Sequence, residues 1–215
     1  MVGSSLYNYF KKKKLNIIDC KRKDLDFTNQ LAVEKWFKKN KPNVVINAAG
    51  RVGGIMDNQN FQPDFIYINS MIGLNIINSA VKYNVIKLIN LGSACIYPKK
   101  TKQPIKENSL LSSFLEETNE GYALAKILSL KYSQHLKKKN KKEFISLMPA
   151  NLYGEGDNFN LNSSHVLPAL TKKFILAKIN NHPSVQVWGS GKVKREFLNV
   201  EDLSHAIFFL IKKKI

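Results

Sequence analysis

Residues 63–98 constrain the fold of this chain more than any other stretch. From Pro63 to about Tyr83, apolar side chains recur at helical spacing, among them Phe65, Ile68, Ile72, Ile76 and Ala80. They occupy more than one face, which predicts a largely buried helix. Ile86, Leu88, Ile89 and Leu91 then form an apolar run that stops at Gly92-Ser93-Ala94-Cys95. A buried helix feeding a buried strand implies a parallel sheet covered on both faces. Hydroxyl and thiol groups at the strand's carboxyl end stand where open α/β sheets bind ligands.

The rest of the chain continues the alternation. Strands are expected at residues 15–19, 43–47, 144–148 and 185–188, and helices over 1–10, 28–37, 120–136, 165–178 and 201–210. Thr28 reads as an N-cap. The strand at 43–47 runs into Asn47-Ala48-Ala49-Gly50, small residues that let a ligand approach the backbone, while 99–119 and 156–164 read as loops. The fold class is α/β, a doubly wound parallel sheet. With 215 residues and 44% hydrophobic content the chain can bury a proper core.

No apolar run reaches the roughly 18 residues of a membrane span, and no secretory leader is visible. Cys20 and Cys95 are too few for a disulfide framework, so a cytoplasmic setting is expected. The net charge of +18 is unusual. Its lysines fall in runs at 11–14, 137–142 and 212–214, which read as helix ends, where cations complement the dipole. The same charge leaves open a non-catalytic module that binds nucleic acid, although no aromatic RNA-binding motif or zinc-ligand spacing accompanies it. No metal site is expected.

The chemistry lies in three side chains. Tyr122 and Lys126 stand at i and i+4, on one face of a helix. Bringing a tyrosine from a pKa of about 10 to neutrality requires about 3 units, or roughly 4 kcal/mol. One ammonium at about 4 Å supplies roughly that amount at an effective dielectric near 20. Such a phenol suits general-acid donation to a developing alkoxide, and Ser93 would hydrogen-bond the same oxygen.

Ser93, Tyr122-x-x-x-Lys126 and the Asn47 to Gly50 turn resemble the extended short-chain dehydrogenase/reductase family, whose fold is Rossmann-like. Further blocks narrow the likeness. Gly50-Arg-Val-Gly-Gly-Ile55, Gly92-Ser-Ala-Cys-Ile-Tyr-Pro98, Thr118-Asn-Glu-Gly-Tyr122, Asn151-Leu-Tyr-Gly154, Ser164-His-Val-Leu-Pro168, Val187-Trp-Gly-Ser-Gly191 and Arg195-Glu-Phe-Leu198 are similar, in order, to the branch that forms GDP-L-fucose. The resemblance implies NADP(H) as cofactor and GDP-4-keto-6-deoxy-D-mannose as substrate, epimerised at C3 and C5 and then reduced at C4. Proton removal beside a ketone gives an enolate, which Ser93 and Tyr122 would stabilise. The resemblance assigns the proton transfers of epimerisation to Cys95 and His165.

It also implies cofactor contacts at Gly3, Arg22, Asn47, Ala48, Ala49, Tyr122, Lys126, Pro149, Asn151, Leu152 and His165. Substrate contacts are implied at Val52, Gly53, Gly54, Lys173, Trp188 and Arg195. Lys173 stands where arginine is usual in the relatives, and an ammonium lacks the bidentate fork for a diphosphate. Residues 1–150 are expected to form the NADP-binding domain and 151–215 part of a substrate region interleaved with the last strands and helices. Homodimerisation is expected of the full-length protein, with neither nucleic acid nor membrane as partner. A sibling nucleotide-sugar epimerase or dehydratase is the alternative enzyme.

A dinucleotide-binding fold opens with a strand and a glycine-rich turn. This sequence begins at Met1-Val-Gly3, so it is expected to be truncated at both ends and to lack the first strand and the earlier glycines. On the strand order 3-2-1-4-5-6, the strands at 15–19 and 86–91 would then miss a shared neighbour, and the sheet would close up or gape.

Overall fold

The computed structural model describes residues 1–161 and 163–213. Its elements follow one another as α1 (Val2–Lys12), α2 (Gln30–Asn40), β1 (Val44–Asn47), α3 (Ile55–Asn60), α4 (Gln62–Lys82) and β2 (Lys87–Leu91). Then come α5 (Glu120–Asn140), β3 (Glu143–Leu147), β4 (Asn151–Tyr153), α6 (Val166–Ile179), β5 (Phe197–Asn199) and α7 (Val200–Lys212). β1, β2 and β3 form a parallel sheet in that spatial order, with Val45 opposite Leu88 and Leu88 opposite Phe144. β4 and β5 make a second, two-stranded parallel sheet.

Alternation along β2 sends neighbouring side chains to opposite faces. Leu88 joins Val33, Phe37, Ile72, Ile76, Ile77 and Phe144 under α2 and α4. Ile89 and Leu91 join Leu6, Phe10, Leu203 and Ile207 under α1 and α7. β2 is therefore buried on both sides at every residue, the polar Lys87 and Asn90 included, as a strand covered on both faces requires. A third cluster, Ile96, Leu115, Ala123, Ile127 and Leu130, seats α5 against the turn after β2. α4 and α5 approach closely at Gly73, where an added Cβ would lie 2.0 Å from Ser129 Oγ.

β2 begins with a buried lysine. Lys87 Nζ donates to Leu210 O (3.0 Å), Ile211 O (3.1 Å) and Lys213 O, and pairs with Glu143 (2.9 Å). One ammonium thus satisfies carbonyls that the end of α7 would otherwise leave without partners.

Several expectations need correction. β2 does not lose a neighbour: it is the central strand, hydrogen-bonded to β1 and β3, and the sheet does not gape around it. The segment at 15–19 is not a strand. Leu15 and Ile18 are exposed, and among the described residues no strand lies alongside to take its amide groups. Residues 185–188 are also irregular, and the second sheet is built instead from β4 and β5, three residues each. The N-cap of α2 is Asn29, whose side chain accepts from Ala32 N. Thr28 Oγ1 instead donates to Asp26.

Candidate active site

The chain leaves β2 at Gly92, whose N–H donates to Leu147 O (2.8 Å). Close approach demands glycine here, because a Cβ would stand 3.1 Å from that oxygen and 3.2 Å from Met148 Sδ. Ser93 caps the short 3₁₀ turn Ala94–Ile96. Its oxygen accepts the Cys95 N–H (3.4 Å) and the Cys95 thiol (3.1 Å). The tight turn folds the thiol back onto the hydroxyl two residues before it.

The first turn of α5 is clasped from α4. Gln62 Oε1 accepts Gly121 N–H (2.8 Å), while Gln62 Nε2 donates to Glu117 O (2.7 Å). Gly121 is buried, and a Cβ there would meet Gln62 O at 2.7 Å. This clasp fixes the start of the helix just before Tyr122, whose ring meets Phe65 edge-on at 6.2 Å. One turn later Lys126 lies buried, with Nζ donating to Leu91 O (2.9 Å) and 5.5 Å from the Tyr122 ring centre. Helix and strand end are joined through this ammonium.

Loss of water governs the electrostatics. Burial pulls the Lys126 ammonium down to about 8, against attraction from Cys95. Burial pushes the Tyr122 phenol well above its ordinary range, Cys95 adds to the rise, and a hydrogen bond from Ser93 acts against it. Burial also raises the Cys95 thiol, with Ser93 and Lys126 opposing. The sequence-based estimate of a tyrosine brought down by Lys126 therefore does not describe this state. Both groups are desolvated in one crevice, and the ammonium is engaged with the Leu91 carbonyl.

Around this cluster the loop after β1 is held by buried asparagines. Asn47 Nδ2 donates to Asn90 Oδ1 (2.8 Å), coupling β1 to β2. Asn69 Oδ1 accepts Arg51 N–H (2.9 Å), and its Nδ2 donates to Arg51 O (3.1 Å) and Phe65 O (2.8 Å). A Cβ on Gly50 would stand 3.0 Å from Asn69 Oδ1 and 3.7 Å from Lys126 Nζ. Further on, Gly54 N donates to Ser163 O (3.0 Å), so Val52, Gly53 and Gly54 dock beside the segment that leads to His165. His165 is the exposed N-cap residue of α6 and makes no side-chain cap hydrogen bond. Among the described residues no hydrogen bond links it to Ser93, Cys95, Tyr122 or Lys126.

Lys173 and Trp188 line a cavity of about 620 Å³ with Met56, Asp57, Asn60 and Phe61. The Lys173 ammonium lies 5.4 Å from the Trp188 ring centre and donates to Gln186 O (3.3 Å). Arg195 is exposed and donates to Lys194 O. Asn151 donates through N and Nδ2 to Glu196 O, and Leu152 pairs with Leu198. Pro149 is half-buried after β3, and Ala48 and Ala49 follow β1. Arg22 Nη2 donates to Gly50 O (3.3 Å), and Gly3 is exposed in the first turn of α1. Sequence reasoning missed Gln62 and Asn69. Asn69 left one trace, an amide at a core-facing position of a helix whose buried face is mostly apolar, where Asn75 and Ser79 are buried too.

Residues 1–215 match the NAD dependent epimerase/dehydratase family. The GDP-L-fucose synthase of Sinorhizobium fredii is 47% identical over 212 residues, covering 99% of this chain and 68% of the relative. GDP-L-fucose synthase 1 of Arabidopsis thaliana is 45% identical over 214 residues, covering 99% and 66%. Among solved structures, a GDP-L-fucose synthetase from Naegleria fowleri bound to NADP superposes with a TM-score of 0.88 at 31% identity, covering 98% of this chain and 69% of that one. The chain thus spans about two thirds of the length of these relatives. A parallel sheet with Ser93, Tyr122 and Lys126 gathered at its carboxyl edge, together with these likenesses, places the chain in the NAD dependent epimerase/dehydratase family.

Proposed function

We propose that this chain carries the catalytic centre of an NADPH-dependent enzyme that epimerises GDP-4-keto-6-deoxy-D-mannose at C3 and C5 and reduces it at C4, giving GDP-L-fucose. One observation carries the reading: Ser93, Cys95, Tyr122 and Lys126 form a single cluster at the carboxyl end of the central strand. Residues 1–150 serve as the NADP-binding domain and 151–215 as part of the substrate region.

The residues present suit a dinucleotide. Gly3 has open space where a Cβ would project, and the first turn of α1 bears no acidic residue, which favours a phosphate there. Arg22 stands at Gly50 O, beside the turn that follows β1. Asn47, Ala48, Ala49, Pro149, Asn151 and Leu152 would hold the cofactor beside Tyr122, Lys126 and His165. Bound NADPH supplies the hydride that C4 receives.

The protein's own residues do the rest. Proton removal from C3 or C5 leaves an enolate whose oxygen accepts hydrogen bonds from Ser93 and Tyr122. Cys95 and His165, on opposite faces of the sugar ring, exchange the protons that invert each centre. The buried thiol rests protonated, so action as a base relies on Ser93 and Lys126, which already oppose its raised pKa. In the final step Tyr122 gives its proton to the C4 oxygen as the hydride arrives at carbon. Val52, Gly53, Gly54, Lys173, Trp188 and Arg195 hold the nucleotide sugar. Homodimerisation falls to the outer faces of α4 and α5, where Tyr67 and Leu128 are exposed.

The test follows NADPH fluorescence during turnover of GDP-4-keto-6-deoxy-D-mannose, with deuterium uptake at C3 and C5 read by NMR in D₂O. Tyr122→Phe should lower NADPH consumption by about 10²- to 10⁴-fold, and Cys95→Ser should suppress deuterium uptake. Deuterium uptake without NADPH consumption would favour a sibling epimerase. Undiminished turnover in Tyr122→Phe would end the reading.

A further inference from the structure

The lysine runs, far apart in sequence, meet on one edge of the molecule. β1, β2 and β3 are parallel, and only two to four residues separate the ends of α2, α4 and α5 from the strands they feed. Their C-termini therefore lie at the amino edge of the sheet, opposite Ser93 and Tyr122. α7 ends there too, because Leu210 O and Ile211 O accept from Lys87, the first residue of β2. α1 runs parallel to α7: Ser5 bonds Ser204 (2.9 Å), the Tyr9 ring packs at a tilt against His205 (4.4 Å between centres), and the Lys13 ammonium lies over Phe208 (5.9 Å). Five helix ends share one edge.

Each of those ends carries lysine: residues 11–14 on α1, 38, 39 and 41 on α2, 82 on α4, 137–139 with 141 and 142 on α5, and 212 and 213 on α7. They are exposed or half-buried. Glu34 and Glu143 are already paired, with Lys82 (2.5 Å) and Lys87 (2.9 Å). A helix C-terminus offers only about half a negative charge, so the dipoles leave most of this positive charge uncompensated. The net charge of +18 is concentrated away from the catalytic edge.

We propose that this edge is an electrostatic docking face for an anionic lipid bilayer. The charge is carried by lysine, while Arg22, Arg51 and Arg195 lie elsewhere, bonded to Gly50 O, Asp64 and Lys194 O. Lysine acts as a point charge suited to diffuse attraction, whereas base and phosphate readout in nucleic acids favours the arginine fork. Helix ends gathered along one edge of a sheet offer a broad contact for a plane rather than a groove for a strand. A hollow of about 540 Å³, lined by Gln134, Lys137, Lys138, Lys141, Lys142 and Glu143, whose carboxylate is already paired with Lys87, can admit a phosphate headgroup. Phe209 is exposed beside Lys213, whose ammonium lies 4.6 Å from the ring centre, an apolar body with a charged neighbour of the kind found at bilayer interfaces. Docking in this way leaves the carboxyl edge facing solvent. No described helix is long and apolar enough to cross a membrane, and a peripheral contact requires none.

The test is co-sedimentation of the 215-residue chain with vesicles of phosphatidylcholine alone or with about one third phosphatidylglycerol. Binding should require the anionic lipid and fall about tenfold or more between low and physiological salt. Substituting Lys137, Lys138, Lys141 and Lys142 by Gln should weaken it by about tenfold or more, and substituting all four by Arg should restore it. An unchanged thermal melt of the Gln variant shows that charge, not folding, was altered; a lowered melt moves the comparison to Lys11–Lys14→Gln. Equal sedimentation with neutral vesicles overturns the proposal, as does absence of binding at low salt. Tighter capture by a duplex oligonucleotide at the same ionic strength assigns the face to nucleic acid and overturns it too.

Discussion

Replacing Lys126 by Met should make the fold less dependent on alkaline pH while removing activity. In the folded protein burial holds this ammonium at about 8, below its ordinary 10.5. Between those values the unfolded chain keeps the proton and the folded chain does not, so folding stability rises with pH across that window. A difference of this size corresponds to about 3 kcal/mol. Below pH 8 the folded state bears that cost in full. Lys126→Met abolishes the cost, but it also takes the donor away from Leu91 O (2.9 Å), worth roughly 1–3 kcal/mol in the opposite direction. The variant should thus be close to wild type in stability at pH 7 and less stable than wild type by pH 10.5. Urea denaturation followed by circular dichroism at stepped pH measures both, and subtracting the two curves removes the other lysines. Parallel stability curves for the two proteins from pH 8 to 10.5 would refute the assignment of a desolvated ammonium at Lys126.

Three further outcomes follow from the same geometry. Lys87→Met takes the donor from the carbonyls at the end of α7 and the partner from the half-buried Glu143, and should cost about 1–3 kcal/mol in urea unfolding; no measurable loss would show that the cage does not hold α7 down. Gly73→Ala forces a methyl into Ser129 Oγ at 2.0 Å, an overpacking of about 1–3 kcal/mol that a second change, Ser129→Gly, should partly relieve in a thermal melt. In a Cys20→Ser background, iodoacetamide should label Cys95 more slowly than a free thiol at pH 7. Ser93→Ala and Lys126→Met should each slow it further, because both groups favour the thiolate; faster labelling in both variants would mean that access, not charge, controls the thiol.

The elements that depend on local pattern were legible in the sequence. α4 and β2 show their burial in apolar residues on more than one face, and α5 shows Tyr122 and Lys126 one turn apart. What escaped depends on partners distant in sequence. Residues 15–19 have the composition of a strand but no described neighbour to bond with. β4 and β5 are three residues each and acquire strand character only from each other, 46 positions apart in register from Asn151 to Phe197. Gln62 clasps Gly121 across 59 positions, and Lys87 reaches Leu210 across 123. Neither contact leaves a local signal, since a glutamine at a helix start and a lysine at a strand start are ordinary residues until the fold brings their partners.

The same division explains why residue identities at the site were readable and their charges were not. A Tyr-x-x-x-Lys spacing fixes which groups share a helix face, but a pKa follows from the balance between a neighbour's field and lost hydration. In this crevice hydration dominates: the phenol and the thiol are raised and the ammonium is lowered, each toward its neutral form. At neutral pH the phenol and the thiol therefore rest uncharged, while Lys126, at about 8, still carries its proton. A polarised carbonyl oxygen entering between Ser93 and Tyr122 would reverse that balance, because negative charge developing there stabilises the Lys126 ammonium as much as the ammonium stabilises it. Proton transfer from Tyr122 is then driven by charge appearing on the substrate rather than by a phenol ionised in advance. A buried, almost neutral acid fits reduction better than the pre-formed phenolate the spacing alone suggests.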